Sequence, residues 1–128
     1  MGAETRHLDQ KSLRMATGSK ANVTALAADC VCFANAAGGR LLIGIEDGDD
    51  QPPATQRIDT ALLDSLRKRI GKLTVNVQVA LQVVLAANGG EFIELSVARS
   101  SGVASTSAGR YYLRVGDHCR PVVGDGVP

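Results

Sequence analysis

The stretch "CFANAAGGRLLIGIED", Cys32 to Asp47, decides how the rest of the chain is read. Its first half continues an apolar period in which Val23, Ala27, Cys30, Ala34 and Ala37 recur at three- and four-residue steps behind Ser19, a candidate N-cap. That spacing predicts an amphipathic helix. Gly38-Gly39 stops it, the first glycine suiting the left-handed position that follows a helix end. "RLLIGIED" then reads as a buried strand ending on two acids, Glu46 and Asp47. Asn35 is expected to cap or bridge backbone near the turn, and Gly44 to let the strand pack closely against a helix.

Outward from that stretch, "HLDQKSL" (His7 to Leu13) predicts a first strand, with a loop at Thr17-Gly18. Downstream, "DDQPPATQ" is a loop, and Asp59 or Thr60 caps a second helix that turns Leu62, Leu63, Leu66 and Ile70 inward and closes at Gly71. From Leu73 through Val75, Val77, Val79, Leu81 and Val83 to Leu85, every second residue is apolar. Asn88-Gly89-Gly90 then turns the chain into "EFIELSV", which makes a β-hairpin. "SSGVASTSAG" (Ser100 to Gly109) has the composition of a flexible loop, and "RYYLRVG" (Arg110 to Gly116) makes a last strand. The order β-α-β-α-β-β-β predicts an α/β fold, a mixed β-sheet with two packed helices, as a single domain over residues 1–121 with a tail at 122–128.

Composition narrows the function classes. A chain of 128 residues can bury a core without metal or disulfide staples. Fourteen basic and thirteen acidic residues leave a net charge of +1, which neither demands nor excludes a nucleic-acid partner. Phe33, Phe92, Tyr111 and Tyr112 are the whole aromatic set, too few for a base-stacking platform. The longest apolar-rich run, Leu73 to Ala87, is too short for a membrane helix and is broken by Asn76, Gln78 and Gln82. Three cysteines form no CxxC pair, and the polar start "MGAETRHLDQ" has no signal-peptide core. Both predict a reduced, cytoplasmic chain with Cys30 and Cys32 as core residues. The lone Gly71-Lys72 has Leu66 where a phosphate-binding loop needs glycine, so no ATP site is expected.

Chemistry is concentrated at few places. Asp9 and Lys11, two apart on a strand, share a face. A carboxylate and an ammonium so placed can hold a divalent cation and meet a phosphate, or simply pair with each other. If "RLLIGIED" lies beside the first strand, Asp47 arrives near Asp9, and hard oxygen donors of this kind suit Mg²⁺ or Mn²⁺. The plain reading of Glu46 and Asp47 is a solvated turn. Arg67, Lys68, Arg69 and Lys72 cluster at the end of the second helix, where they complement its dipole or contact nucleic-acid backbone. Arg114, inside "YYLRVG", needs either a structural carboxylate or a substrate phosphate.

Taken together, Glu4, "LDQK" (Leu8 to Lys11), "CFANAAGGRLLIGIED" and "YYLRVG" resemble the Schlafen-type AlbA_2 domain, from Glu4 to about Pro121. That family shows an acid, then L-E-F-K, then F-A-N-x-x-G-G-x-L-x-I-G-V-x-D, then Y-x-R-x-G. The resemblance implies a metal-dependent endoribonuclease acting on tRNA-like structured RNA, with Glu4, Asp9 and Asp47 as the Mg²⁺ or Mn²⁺ ligands and Lys11 stabilising charge. It further implies that Arg67, Lys68, Arg69, Lys72 and Arg114 hold nucleic acid. Two copies are expected to pair as a homodimer, because larger members carry two lobes around one groove. Asp9 stands where Glu is usual, and Gln10 where the family has an aromatic. The alternative is a non-catalytic DNA- or RNA-binding module of a transcriptional regulator.

Overall fold

The structure is a computed structural model that describes residues 7–18 and 21–122. Strand β1 (Leu8–Lys11) is shorter than the alternation suggests, because the Ser12 hydroxyl accepts the Arg14 N–H and the chain turns through a 3₁₀ segment, Leu13–Met15. Helix α1 (Val23–Ala34) is capped by Asn22, whose side chain accepts the Ala25 N–H at 3.1 Å. The expected cap, Ser19, lies outside the described residues. The helix stops at Ala34, so Ala37 falls beyond it and is exposed. Gly38 has φ +85°, the left-handed conformation its position predicts.

Strand β2 (Gly39–Ile43) follows at once. A Cβ on Gly39 would overlap the Phe33 ring, so only glycine lets the strand start against the helix it has just left. Gly44, with φ +114°, is closed in by Gln56 and Phe92 rather than by a helix, correcting the packing expected of it. Helix α2 (Thr60–Leu73) is capped by Asp59, whose carboxylate accepts the Ala61 N–H at 3.0 Å. It runs past Gly71 to Leu73.

The long alternating run is not one strand. Asn76 has φ 62° and cuts it. Leu73 ends α2, β3 (Thr74–Val75) turns to a separate partner, and only β4 (Val79–Leu85) joins the hairpin with β5 (Glu91–Val97). The loop expected at 100–109 contains β6 (Ser105–Thr106), which pairs with β3, and Ala104 and Ser105 are buried. The last predicted strand, β7 (Tyr111–Val115), pairs with β8 (His118–Val122) as a hairpin outside the main sheet.

The main sheet has the order β1-β2-β5-β4, with β1 parallel to β2 and the other pairs antiparallel. Register sets its two faces. Asp9, Leu41, Leu95 and Leu81 lie in one row on the side of the helices. Leu41, Ile43, Ile93 and Leu95 meet Leu26, Cys30 and Phe33 of α1 and Leu66 and Ile70 of α2 in a core with no solvent exposure. The opposite face carries a polar row in which Glu94 takes Arg40 at 3.0 Å and the Gln82 amide at 2.9 Å.

Helix α1 packs against the main sheet, α2 and the β7–β8 hairpin together, which is why it is buried nearly all round. Two long-range ties hold the hairpin to it. The Asn35 amide donates to Ala104 O (2.9 Å) and Tyr112 O (3.0 Å) and accepts the Ala104 N–H (2.7 Å). A disulfide joins Cys32 to Cys119, with Cα atoms 5.8 Å apart. This corrects the expectation of a fully reduced chain: residues two apart on a helix point roughly 200° apart. Cys30 therefore enters the core, where burial pushes its thiol pKa up, while Cys32 faces the hairpin. No helix among the described residues is long and apolar enough to cross a membrane.

Candidate functional site

At the end of β1 the Lys11 ammonium lies 3.2 Å from Asp9 Oδ2 and 3.5 Å from Asp29 Oδ2. The strand period puts Asp9 and Lys11 on the helix side of the sheet, and α1 supplies Asp29 from above. Asp9 also accepts the Gln10 N–H on Oδ1 at 2.9 Å. Both carboxylates are buried. Across α1, the Arg114 guanidinium of β7 stacks 4.5 Å from the centroid of Phe33 and its charge reaches Asp29. Two carboxylates and two cations from β1, α1 and β7 thus form a formally neutral cluster inside a small domain.

Its electrostatics follow from burial and mutual attraction. Desolvation raises the Asp29 pKa, and the attraction of Lys11 only partly offsets it. For Lys11, desolvation alone would lower the pKa, but the charges of Asp29 and Asp9 outweigh it and the net shift is upward. The ammonium is therefore locked in its charged form. Removing such groups from water costs several kcal/mol per ion, and the attraction of the pair often fails to repay it. A fold that accepts this cost at one place is marking a candidate site.

Of the other sequence-predicted residues, Asp47 lies in a turn that touches β1, where the Gln10 amide donates to Asp49 O at 2.8 Å. Asp47 is exposed, in a turn closed by the Asp49 N–H to Glu46 O bond (3.0 Å) with Gly48 at φ +90°. Glu4 lies outside the described residues. On α2, Arg67 and Lys68 both pair with Asp64, Lys68 at 3.1 Å, and these hydrogen bonds hold the Asp64 carboxyl below its usual range. Arg69 and Lys72 are exposed on the same helix. Among the described residues no three His, Cys, Asp or Glu side chains are arranged to hold a metal ion. A cleft of about 470 Å³ lies between Asn35, the 99–103 loop and Tyr111, Leu113 and Val122, and shares no lining residue with the charged cluster.

Asp29 escaped the sequence reading, although a signal was present: it is the only charged residue between Lys20 and Arg40. An acid alone in an apolar helix needs a buried partner. Phe33, by contrast, reads as core from sequence, and its second role as a platform for Arg114 depends on a hairpin far along the chain.

A mixed sheet covered on one side by two helices, with a strapped hairpin and a buried Asp-x-Lys cluster, defines a small α/β domain of a distinct kind. The family model described as Schlafen, AlbA_2 matches residues 4–123, and the chain belongs to that family. Membership suggests a nucleic-acid-related function. No curated protein matches the chain. Among solved structures, the crystal structure of the DIP2311 protein from Corynebacterium diphtheriae is similar, with a TM-score of 0.59 and 26% identity. The match covers 91% of this chain but 22% of that one.

Proposed function

We propose that the chain is a divalent-metal-dependent endoribonuclease acting on structured RNA of the tRNA kind. The observation that carries this reading is the buried cluster of Asp9, Lys11 and Asp29, which contains two of the positions where the family pattern is charged. In this reading Asp29 holds Lys11 at the end of β1, where its ammonium meets a phosphate oxygen. Arg69 and Lys72, with Arg67, Lys68 and Arg114, hold the RNA backbone. Glu4, Asp9 and Asp47 would be the residues to hold Mg²⁺ or Mn²⁺, which prefer such oxygen donors, and the ion would supply Lewis-acid polarisation of a phosphate. The described residues alone do not complete that ligand set, because Lys11 sits against Asp9 and Asp47 occupies an exposed turn. A cytoplasmic location belongs to the same proposal, although the Cys32–Cys119 bond is of a type more often found in oxidising compartments.

The Lys11–Asp9 pair and the exposed position of Asp47 favour a second reading, a non-catalytic DNA- or RNA-binding module in which the cluster is structural. One experiment separates the two. Labelled tRNA is incubated with the protein and Mn²⁺, Mg²⁺ or EDTA, and cleavage and binding are both measured. Metal-dependent cleavage that falls roughly 100-fold or more in Asp9→Asn and in Asp47→Ala, with RNA affinity in EDTA unchanged or slightly higher, supports the nuclease. A wild type that binds but leaves structured RNA intact with either metal supports the binding module.

A further inference from the structure

We propose that two copies of this chain join through β4, edge to edge and antiparallel, fusing two four-stranded sheets into one. The inference is independent of whether the protein cuts RNA. The sheet order leaves β4 with β5 on one side and, among the described residues, no strand on the other. The Ala98 N–H to Gln78 O bond (3.1 Å) and the Ala86 N–H to Gly90 O bond (2.8 Å) show that even-numbered residues aim their backbone at the β5 side. In an antiparallel ladder the alternate residues then aim away. Val79, Leu81, Val83 and Leu85 therefore present N–H and C=O groups along the open edge.

Natural edges are usually guarded by lysine, proline or a bulge. This one is not. From Leu73 to Gly90 the chain carries no charged residue, and Val79–Leu85 contains no proline. Its register with β5 is unbroken over all seven residues, and Leu85 is 70% exposed.

The sequence of the edge matches itself. With a two-fold axis at Gln82, Leu81 faces Val83, Ala80 faces Val84 and Val79 faces Leu85 of the second copy, so no opposed pair brings like charges together. The axis falls on a residue whose own backbone is engaged by β5, which is the non-hydrogen-bonded position of an antiparallel pair. The odd residues then meet as hydrogen-bonded pairs. On the open face the Arg40–Glu94–Gln82 row runs up to the axis, and the two-fold rotation would continue it with the same row of the second copy. Such a closed, self-matching contact ends at two chains.

The test is mass in solution together with a cross-link. Wild type at about 100 μM should show twice the chain mass by sedimentation, weakening on dilution as expected for a modest interface. Gln82→Lys places two cations opposite each other at the axis and should raise the dissociation constant about tenfold or more, with an unchanged circular dichroism spectrum. Gln82→Cys should form a covalent dimer on mild oxidation, since Cα atoms at that position would be about 4.5 Å apart. Wild type is the control, its Cys30 being buried and the other two cysteines bonded. A monomeric wild type at 100 μM overturns the proposal. So does a dimer that Gln82→Lys leaves intact and Gln82→Cys fails to cross-link, or an open-ended series of oligomers, which would mean that β4 pairs with a different edge.

Discussion

Replacing Asn35 by alanine should loosen the β7–β8 hairpin, and the size of the effect can be worked from its contacts. The side chain makes three hydrogen bonds, two to carbonyls of Ala104 and Tyr112 and one from the Ala104 N–H. Each is worth about 1 kcal/mol net, and a buried donor left without a partner costs about 1–3 kcal/mol. Ala104 has no solvent exposure, so water cannot replace the lost acceptor. The Tyr112 carbonyl is easier to hydrate, because Tyr112 and Asn35 are only half-buried, whereas the Ala104 carbonyl is as buried as its N–H. The expected loss is therefore about 3 kcal/mol, or a Tm drop of roughly 10 °C for a domain of this size. Asn35→Asp keeps the acceptor for Ala104 but sets a carboxylate oxygen against the Ala104 and Tyr112 carbonyls, and should cost at least as much as alanine near pH 7. Urea denaturation followed by circular dichroism gives the free energies, and exchange of the Ala104 amide reports the local opening. A cost below about 1 kcal/mol for Asn35→Ala, or unchanged protection at Ala104, would refute the idea that this side chain holds the hairpin in place.

Four further outcomes are expected. Cys119→Ser removes a cross-link spanning 87 residues, for which chain entropy gives about 4–5 kcal/mol, and should lower stability in non-reducing buffer while reductant lowers wild type to a similar level. Lys11→Met takes away the cation that restrains the raised Asp29 pKa, so that pKa rises further and the folded state binds a proton more tightly than the unfolded one. Stability of the variant, reduced by about 2–3 kcal/mol at pH 7, should then recover as pH falls toward 4, and urea midpoints at both values check the sign. Wild type should instead lose stability above pH ~10.5, as Lys11 begins to deprotonate through its raised pKa. Gly39→Ala forces a methyl into the Phe33 ring and should cost about 1–3 kcal/mol, and Phe33→Leu in the same chain should recover part of it, which a double-mutant cycle would detect.

What the sequence by itself determined is local. The helix caps at Asp59, the stop at Gly38, the turn at Asn88-Gly89-Gly90 and the alternation of β5 each depend on a few adjacent residues, and backbone sterics and short hydrogen bonds make them legible. The Asp9–Lys11 pair was legible for the same reason, because a strand repeats every two residues. Where local signals competed, the reading failed: one left-handed residue, Asn76, split an alternating run whose periodicity was continuous. What only the tertiary structure decided is long-range. Asn35 meets backbone 69 and 77 residues away, Cys32 finds Cys119, and Asp29 reaches Lys11 across the helix–sheet interface. None of these partners leaves a periodic trace in the chain, since a single polar side chain sets no pattern. They are selected by the packing of α1 between sheet and hairpin, where an unpaired polar group would cost more than the contact that satisfies it.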